Sequence, residues 1–158
     1  MKSTRFQSKG HALLLIGAHV LGGSVIGVLF PPGEWIGTLA KPAFYPPAWI
    51  FPTVWPLLYA AMGGALWLVL RASVEKKGLA LLLYFSQLVV NYSFSPLFFG
   101  LKNTLLGFLV VALLLPLLTL AVVLFFRISR LAAVLLVPYL IWVSFACALS
   151  FSIWRLNA

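Results

Sequence analysis

Residues 31–59 read PPGEWIGTLAKPAFYPPAWIFPTVWPLLY, and this stretch interrupts an otherwise almost uniformly apolar chain. It holds seven of the ten prolines and three of the six tryptophans. Because proline lacks an N–H and disfavours helix at the residue before it, one long helix across the stretch is not expected. Its aromatic content is equally untypical of disordered segments. We therefore predict a stiff, folded lid over one end of a helical bundle.

The composition of the whole chain indicates a membrane protein. The 158 residues are 63% hydrophobic and 8% charged, whereas about 25% of the residues in a soluble domain are charged. The formal net charge is +9, but the basic residues fall at the ends of apolar segments, where they meet lipid headgroups rather than nucleic acid. Cys147 is the only cysteine, so no disulfide framework is expected.

Apolar segments of suitable length predict the fold. A helix needs about 20 apolar residues to cross a bilayer. We predict one domain over residues 1–158, an all-α bundle of five transmembrane helices at residues 10–30, 52–70, 78–99, 104–126 and 131–154, with the lid loop at 31–51. The first segment is long enough to be a retained span rather than a signal peptide. The other connections are short, so consecutive helices should lie antiparallel beside each other.

Basic residues are distributed unequally between the two ends of the predicted bundle. Eight lie at the N-terminal end and three at the lid end. The positive-inside rule then places the N-terminus in the cytoplasm and the lid on the other side of the membrane.

Polar side chains within the spans predict a hydrogen-bonded interior, because unpaired polar groups are costly in hydrocarbon. Gln87, Asn91 and Ser95 recur at every fourth residue and therefore share one helix face. Simple helix-to-helix hydrogen bonding remains an equally good interpretation of any one of them.

The first predicted span carries glycines and histidines. Gly23 and Gly27 have the spacing of a close helix contact, either within the protomer or across a dimer. His11 and His19 roughly share a face, but no Asp or Cys is placed to complete a metal site. We expect His11 at the membrane interface, a hydrogen bond between helices from His19, and no metal site.

The sequence lacks the side chains that most catalysis and ion transport need. Its two acids, Glu34 and Glu75, fall in connections, so an intramembrane proton relay or ion filter is poorly supported. Triads, paired carboxylates and phosphate-binding glycine loops do not occur. Aromatic faces and neutral hydrogen-bonding groups are typical of pockets for flat, largely apolar molecules. Lys41 could pair with a ligand carboxylate, or equally with solvent or a lipid phosphate.

Three ordered blocks resemble the TspO/MBR family, the translocator proteins or peripheral-type benzodiazepine receptors. They are K-P-A-F-Y-P-P-A-W-I-F-P…W…Y at 41–59, Q-L-V-V-N…S-P-L-F-F-G at 87–100 and P-Y-L-I-W-V-S-F-A…W-R-L-N at 138–157. With the five spans, the resemblance covers nearly the whole chain. We expect a bacterial member in the inner membrane, with the outer membrane as an open alternative.

The resemblance implies a tight, usually dimeric bundle with a pocket under the lid. Family members bind tetrapyrroles such as protoporphyrin IX and haem, benzodiazepine-type drugs and, in animals, cholesterol. No required cofactor is implied, and the tetrapyrrole is expected as a ligand. The residues carried over to the pocket are Trp35, Trp49, Trp55, Tyr59, Gln87, Asn91, Phe94, Trp142, Phe145, Ala146 and Ser150.

The function expected from the resemblance is a membrane receptor or carrier for tetrapyrroles, in porphyrin transport or stress regulation. One alternative is a light-dependent porphyrin-degrading enzyme in which Trp55 and Trp142 donate electrons. Another is a structural protein with an incidental pocket. Phe44 and Phe94 stand where the family has tryptophan, so stacking is retained but the indole donor is lost. Phe151 replaces the tyrosine of the animal cholesterol pattern, which makes porphyrin the preferred expectation over sterol.

Overall fold

The computed structural model describes residues 8–75 and 77–158. The chain folds into α1 (Lys9–Leu29), α2 (Trp35–Thr38), α3 (Ile50–Arg71), α4 (Gly78–Ser95), α5 (Thr104–Ile128) and α6 (Arg130–Leu156). A π-helical turn at Pro96–Gly100 continues α4. The described residues contain no β-strand, so the predicted all-α class is confirmed. Among the basic residues behind the orientation prediction, Lys2, Arg5 and Lys76 lie outside the described residues.

Five helices are long and apolar enough to cross a membrane: α1, α3, α4 with its π-helical turn, α5 and α6. Each begins and ends within two residues of the span that the sequence predicts. Pro56, Pro116 and Pro138 lie inside these helices. Proline is tolerated there because neighbouring helices and local backbone adjustments can satisfy the freed carbonyl groups.

The five long helices form a ring in the order α1, α3, α6, α5, α4 and back to α1. Consecutive helices are neighbours in this ring with one exception, the pair α3 and α4. The expectation that all consecutive helices pack side by side is therefore wrong for this pair, because α1 and α3 form one wall and α4 and α5 another. Side chains of α3 and α4 instead meet inside the ring.

Large buried side chains fill the centre of the ring. Tyr84, Tyr139, Phe125, Met62 and Leu66 are at most 1% exposed. Helix α1 contributes little to this core, and His19 is its one buried side chain. The interior is thus built mainly by α3 to α6.

Glycine allows α1 and α3 to approach closely, but at a position that the sequence pattern did not indicate. A Cβ added to Gly63 of α3 would lie 2.6 Å from the Ile16 Cα, so backbone meets backbone here. The predicted Gly23–Gly27 pair behaves differently: Gly23 makes room for the Tyr59 ring, and Gly27 has nothing within 4 Å. Gly23 therefore serves packing within the protomer.

The segment between α1 and α3 is folded, as predicted for a lid. It includes α2, a single turn that its proline content did not indicate, and Gly33, whose φ of +58° suits glycine at the preceding turn. We call residues 30–49 the lid below.

Candidate ligand site under the lid

Aromatic contacts attach the lid to the end of the bundle. Trp35 of α2 meets Phe98 of the π-helical turn edge-on, with ring centroids 5.4 Å apart. Tyr45 lies 5.9 Å from Phe51 at the start of α3. Phe51 in turn meets Trp142 of α6 edge-on at 5.9 Å. The lid is therefore closed over the ring rather than splayed away from it.

Phe44, which replaces a family tryptophan, makes a further lid contact. Its ring lies 6.2 Å from Phe145 of α6 and is half exposed. Phe145 also lies 5.7 Å from Trp142. Phe44 of the lid and Phe145, Trp142 and Phe51 of the helices thus form one continuous aromatic layer where the lid meets the bundle.

Asn157 fixes the middle of the lid to α6. The Ala40 N–H donates to Asn157 Oδ1 at 2.9 Å, and Asn157 Nδ2 donates back to the Ala40 carbonyl at 2.9 Å. Asn157 Nδ2 also donates to the Ile153 carbonyl at 2.7 Å, which holds the side chain against its own helix. We call the paired bonds between Ala40 and Asn157 the lid clamp.

A directed chain of hydrogen bonds crosses the interior of the ring. The Tyr59 hydroxyl donates to Asn91 Oδ1 at 2.8 Å, and Asn91 Nδ2 donates to the Tyr139 hydroxyl at 2.8 Å. The Tyr139 hydroxyl donates to Gln87 Oε1 at 3.0 Å. All four side chains are buried. We call this series the polar chain.

The polar chain ends on a donor without an acceptor. Gln87 Nε2 is buried and has no hydrogen-bond partner among the described residues. A buried N–H left unpaired costs roughly 1–3 kcal/mol. The Gln87 amide is therefore a point at which an acceptor atom of a ligand, or water, would be favourably bound.

Trp55 connects the polar chain to the aromatic side chains. Its ring stacks on Tyr59 at 5.5 Å and 29° and meets Tyr139 edge-on at 6.4 Å. Trp55 and Trp142 are both half-buried. Each offers part of a ring face next to the interior.

The remaining predicted pocket residues are placed unequally. Phe94 stacks on Phe98 at 5.1 Å, while Ala146 is half-buried and Ser150 is buried on α6. Trp49 is not brought to this group, since 66% of its surface is exposed where α3 begins.

Lys41 lies on the exposed surface of the lid. Its Nζ is 5.2 Å from the centre of the Tyr45 ring, a cation–π arrangement. Burial raises the pKa of the Tyr45 phenol above its ordinary value, so this ring stays neutral at physiological pH. Lys41 thus contacts the lid itself and leaves its ammonium accessible.

A separate polar group links three helices near the middle of the bundle. The Tyr84 hydroxyl donates to the Met62 carbonyl at 2.9 Å and lies 2.8 Å from His19 Nε2. His19 Nδ1 is 2.8 Å from the Leu15 carbonyl. The predicted hydrogen bond from His19 to another helix is confirmed. In the part of the chain that the structure describes, no cluster of His, Cys, Asp or Glu could hold a metal ion.

Four residues of the site were absent from the predicted pocket residues: Phe44 and Phe51 of the aromatic layer, and the polar residues Tyr139 and Asn157. Tyr139 stands three positions before Trp142 in the third block, and Asn157 is the last polar residue of that block. The signal available in the sequence was that these polar residues lie within, or at the end of, an aromatic motif. The motif indicates that they matter, but not that Tyr139 meets Gln87 or that Asn157 reaches Ala40.

The chemistry of the site is limited to stacking and neutral hydrogen bonding. The buried polar residues in the described ranges are His19, Gln87, Asn91 and Ser150, with no buried acid or cation. The groups available in this interior are therefore aromatic rings, hydroxyls and side-chain amides.

Comparison with known proteins agrees with this architecture. The sequence profile of the TspO/MBR family matches residues 12–155. The chain belongs to the TspO/MBR family. Together with the five apolar helices, this membership makes it a multi-pass integral membrane protein of the TspO class.

Several TspO/MBR relatives match over most of their length. Protein CrtK of Rhodobacter capsulatus is 40% identical over 133 residues, 83% of each chain. The tryptophan-rich protein TspO of Chlorobaculum tepidum is 42% identical over 129 residues, 80% of this chain and 82% of the relative. The human translocator protein is 39% identical over 143 residues, 85% of this chain and 83% of the relative.

Proposed function

We propose that this TspO/MBR protein binds a flat tetrapyrrole, protoporphyrin IX or haem, between the lid and the polar chain. The observation that carries the proposal is the unpaired Gln87 Nε2 donor, in a bundle whose lid end is lined with aromatic rings. A tetrapyrrole supplies a large planar face for stacking and carboxylate oxygens as acceptors. Its chemistry therefore complements both parts of the site.

Ligand entry in this proposal requires the lid to move. In the closed form the rings of Phe51 and Trp142 are in contact, and the clamp holds Ala40 on Asn157. The surface depressions of about 430 and 330 Å³ include none of the predicted pocket residues. A planar ligand would separate Phe51 from Trp142 and take up the space between them. The protein would then act as a receptor or carrier that loads from the lid side, in porphyrin transport or stress regulation.

A binding titration tests this proposal. Protoporphyrin IX is titrated into detergent-solubilised protein, and its absorbance and fluorescence report saturable binding. Gln87→Met removes the donor at similar side-chain length and also the acceptor of the Tyr139 hydroxyl, so thermal unfolding first verifies that the variant is folded. We then expect about tenfold weaker binding, the equivalent of one lost hydrogen bond to a charged acceptor. Trp142→Phe should also weaken binding, by loss of stacking area.

Trp49→Phe is the matched control, because Trp49 is exposed outside the aromatic layer. It should bind as the unmodified protein does. If protoporphyrin IX does not saturate the protein, or if all three variants bind equally well, the proposal is wrong.

Light-dependent degradation of the bound porphyrin is a second candidate, favoured by the contact of Trp55 with both Tyr59 and Tyr139. An electron that Trp55 gives to the photo-excited porphyrin could be replaced from Tyr59 or Tyr139, with dissolved oxygen as the oxidant of the porphyrin and an added reductant restoring the tyrosine between turnovers. Illumination of the complex should then bleach the porphyrin Soret band over several turnovers. Bleaching at an unchanged rate in the Trp55→Phe/Trp142→Phe double variant would exclude tryptophan as the donor.

A further inference from the structure

A surface depression lies at the end of the bundle opposite the lid, away from the tetrapyrrole site proposed above. It opens between the start of α4 and the end of α5 and has a volume of about 330 Å³. Its lining residues are Val74, Leu79, Ala80, Leu124, Arg127 and Ile128. The size lies in the range of about 300–1,000 Å³ that is typical of small-molecule sites.

The walls of this depression are apolar. Ala80 is 3% exposed, whereas Val74 and Leu79 are exposed. Each of the lining residues apart from Arg127 has an aliphatic side chain. The depression therefore suits a hydrocarbon chain, with one cation beside it.

Arg127 has no polar or ring partner among the described residues, whereas the basic residues near it do. Lys77 Nζ donates to the carbonyls of Val69, Leu70 and Ala72 at 3.1, 2.7 and 3.0 Å, which caps the end of α3. In contrast, Arg127 is exposed in the last turn of α5 and forms no hydrogen bond, ion pair or ring contact with the residues that the structure describes.

The other arginines at this end are also engaged. Arg71 lies 4.6 Å from the centre of the Trp67 ring, and Arg130 lies 5.6 Å from that of Phe126. Among the arginines that the structure describes at this end of the bundle, Arg127 is therefore the one whose guanidinium is available to bind an anion. A guanidinium forms paired hydrogen bonds with a phosphate group.

We propose that this depression binds one anionic phospholipid, with the phosphate on Arg127 and the first part of an acyl chain along the aliphatic wall. Charge complementarity selects this occupant, because an apolar chain alone would not need the cation. The depression on the outer face of α4 offers the comparison. It is lined by Leu82, Phe85, Ser86, Val89 and Val90 and has no cationic side chain to pair with a lipid phosphate.

The position of the site agrees with this occupant. Arg127 lies where α5 leaves the apolar part of the bundle, at the end that holds eight of the eleven basic residues. Anionic phospholipids are concentrated in the cytoplasmic leaflet, where basic residues next to a span attract them. The site is independent of the tetrapyrrole proposal, since the two lie at opposite ends of the bundle.

Native mass spectrometry of the purified full-length protein in detergent tests the proposal. Dioleoyl phosphatidylglycerol, dioleoyl phosphatidylcholine and inorganic phosphate are added separately, and the bound adducts are counted at each concentration. We expect one saturable phosphatidylglycerol, about tenfold weaker phosphatidylcholine binding, and no retained inorganic phosphate at the same concentrations. Equal binding of the two lipids, or saturable binding of inorganic phosphate alone, would overturn the proposal.

A pair of arginine variants distinguishes lipid binding at this site from general attraction to the positive charge at this end of the bundle. Arg127→Gln should weaken phosphatidylglycerol binding about tenfold, while Arg130→Gln, which removes an equal charge three residues away, should change it by less than about twofold. Val74→Trp fills the depression without altering charge and should also reduce binding. Equal losses in both arginine variants, or unchanged binding in Val74→Trp, would refute the site. Thermal unfolding of each variant verifies that it is folded.

Discussion

At the scale of single residues, the Tyr139 hydroxyl determines the direction of the polar chain. It accepts from Asn91 Nδ2 and donates to Gln87 Oε1, so its single proton is already used. Reversing the Gln87 amide would give Tyr139 a second donor and leave its own proton without an acceptor. With the Asn91 amide oriented as observed, the unpaired N–H of the chain therefore lies on Gln87.

Asn91 is the residue whose loss should disturb this chain most. Asn91→Leu leaves the buried hydroxyl of Tyr59 without its acceptor and Tyr139 without its donor. We expect a loss of about 2–4 kcal/mol in the free energy of unfolding, from the unpaired buried groups. Thermal and denaturant unfolding in detergent measure the change.

Ser93→Ala provides the control for Asn91→Leu. Ser93 lies on the same helix, but its hydroxyl donates only to the Val90 carbonyl at 2.7 Å, within α4. Its removal should cost less than about 1 kcal/mol. In addition, Tyr59→Phe combined with Asn91→Leu should cost less than the sum of the single changes, because the two side chains share a bond. Strict additivity would contradict the polar chain.

At the scale of helices, the approach of α1 to α3 depends on Gly63. A methyl group there would meet the backbone of Ile16 and the Leu15 carbonyl, so Gly63→Ala must push the helices apart. We expect a destabilisation of about 1–3 kcal/mol, typical of overpacking. Unfolding in detergent is again the measurement.

The neighbouring glycine serves as the control in this case. A Cβ on Gly64 would lie 3.5 Å from Leu135 Cδ1, an ordinary packing distance. Gly64→Ala should therefore be neutral or stabilising, because alanine favours helix more than glycine does. If the two substitutions changed the free energy of unfolding equally, the close approach of α1 to α3 would not depend on Gly63.

The lid clamp gives a prediction about the lid as an element. Asn157→Ala removes both bonds to Ala40, so the lid should open more often while the long helices stay folded. We expect hydrogen exchange of the backbone amides at 39–48 to become about tenfold faster, which corresponds to about 1.4 kcal/mol of lost closing free energy.

Asn103→Ala tests whether any lost asparagine at this end has the same effect. Asn103 Oδ1 accepts from the Leu106 N–H and caps α5. Its removal should lower stability by about 1 kcal/mol and leave lid exchange unchanged. Faster lid exchange in both variants would mean that the clamp is not specific.

The helices were more predictable from sequence than their arrangement. Apolar length determines which segments can cross a membrane, so the ends of all five long apolar helices lie within two residues of the predicted bounds. The ring order and the π-helical turn depend on contacts between distant side chains, which no local pattern encodes. For the same reason Gln87 and Asn91 could be assigned to an inner face by periodicity, while the partner of Asn157, 117 residues away, could not.

The exposure of Trp49 shows a further limit of motif reasoning. Tryptophan is equally suited to a pocket and to the membrane–water boundary, since its ring is apolar and its N–H is polar. Only the direction in which α3 begins decides between the two. The sequence pattern identified Trp49 as a pocket residue, and the structure places it at the surface.

At the scale of the whole molecule, the charge distribution predicts the orientation in the membrane. In a Cys147→Ser background, Lys102→Cys should react with a membrane-impermeant maleimide added to intact cells, because it lies at the lid end. Ser73→Cys, at the other end, should react only after the membrane is permeabilised. The opposite labelling pattern would invert the proposed topology.

The ring of helices is not packed equally tightly all the way round. Among the neighbouring helices of the ring, α1 and α4 pack together least closely, and the His19–Tyr84 hydrogen bond joins them. We expect such a bundle to deform first between these two helices. Thermal motion should therefore separate α1, together with α3, from α4 before any other neighbouring pair of long helices comes apart.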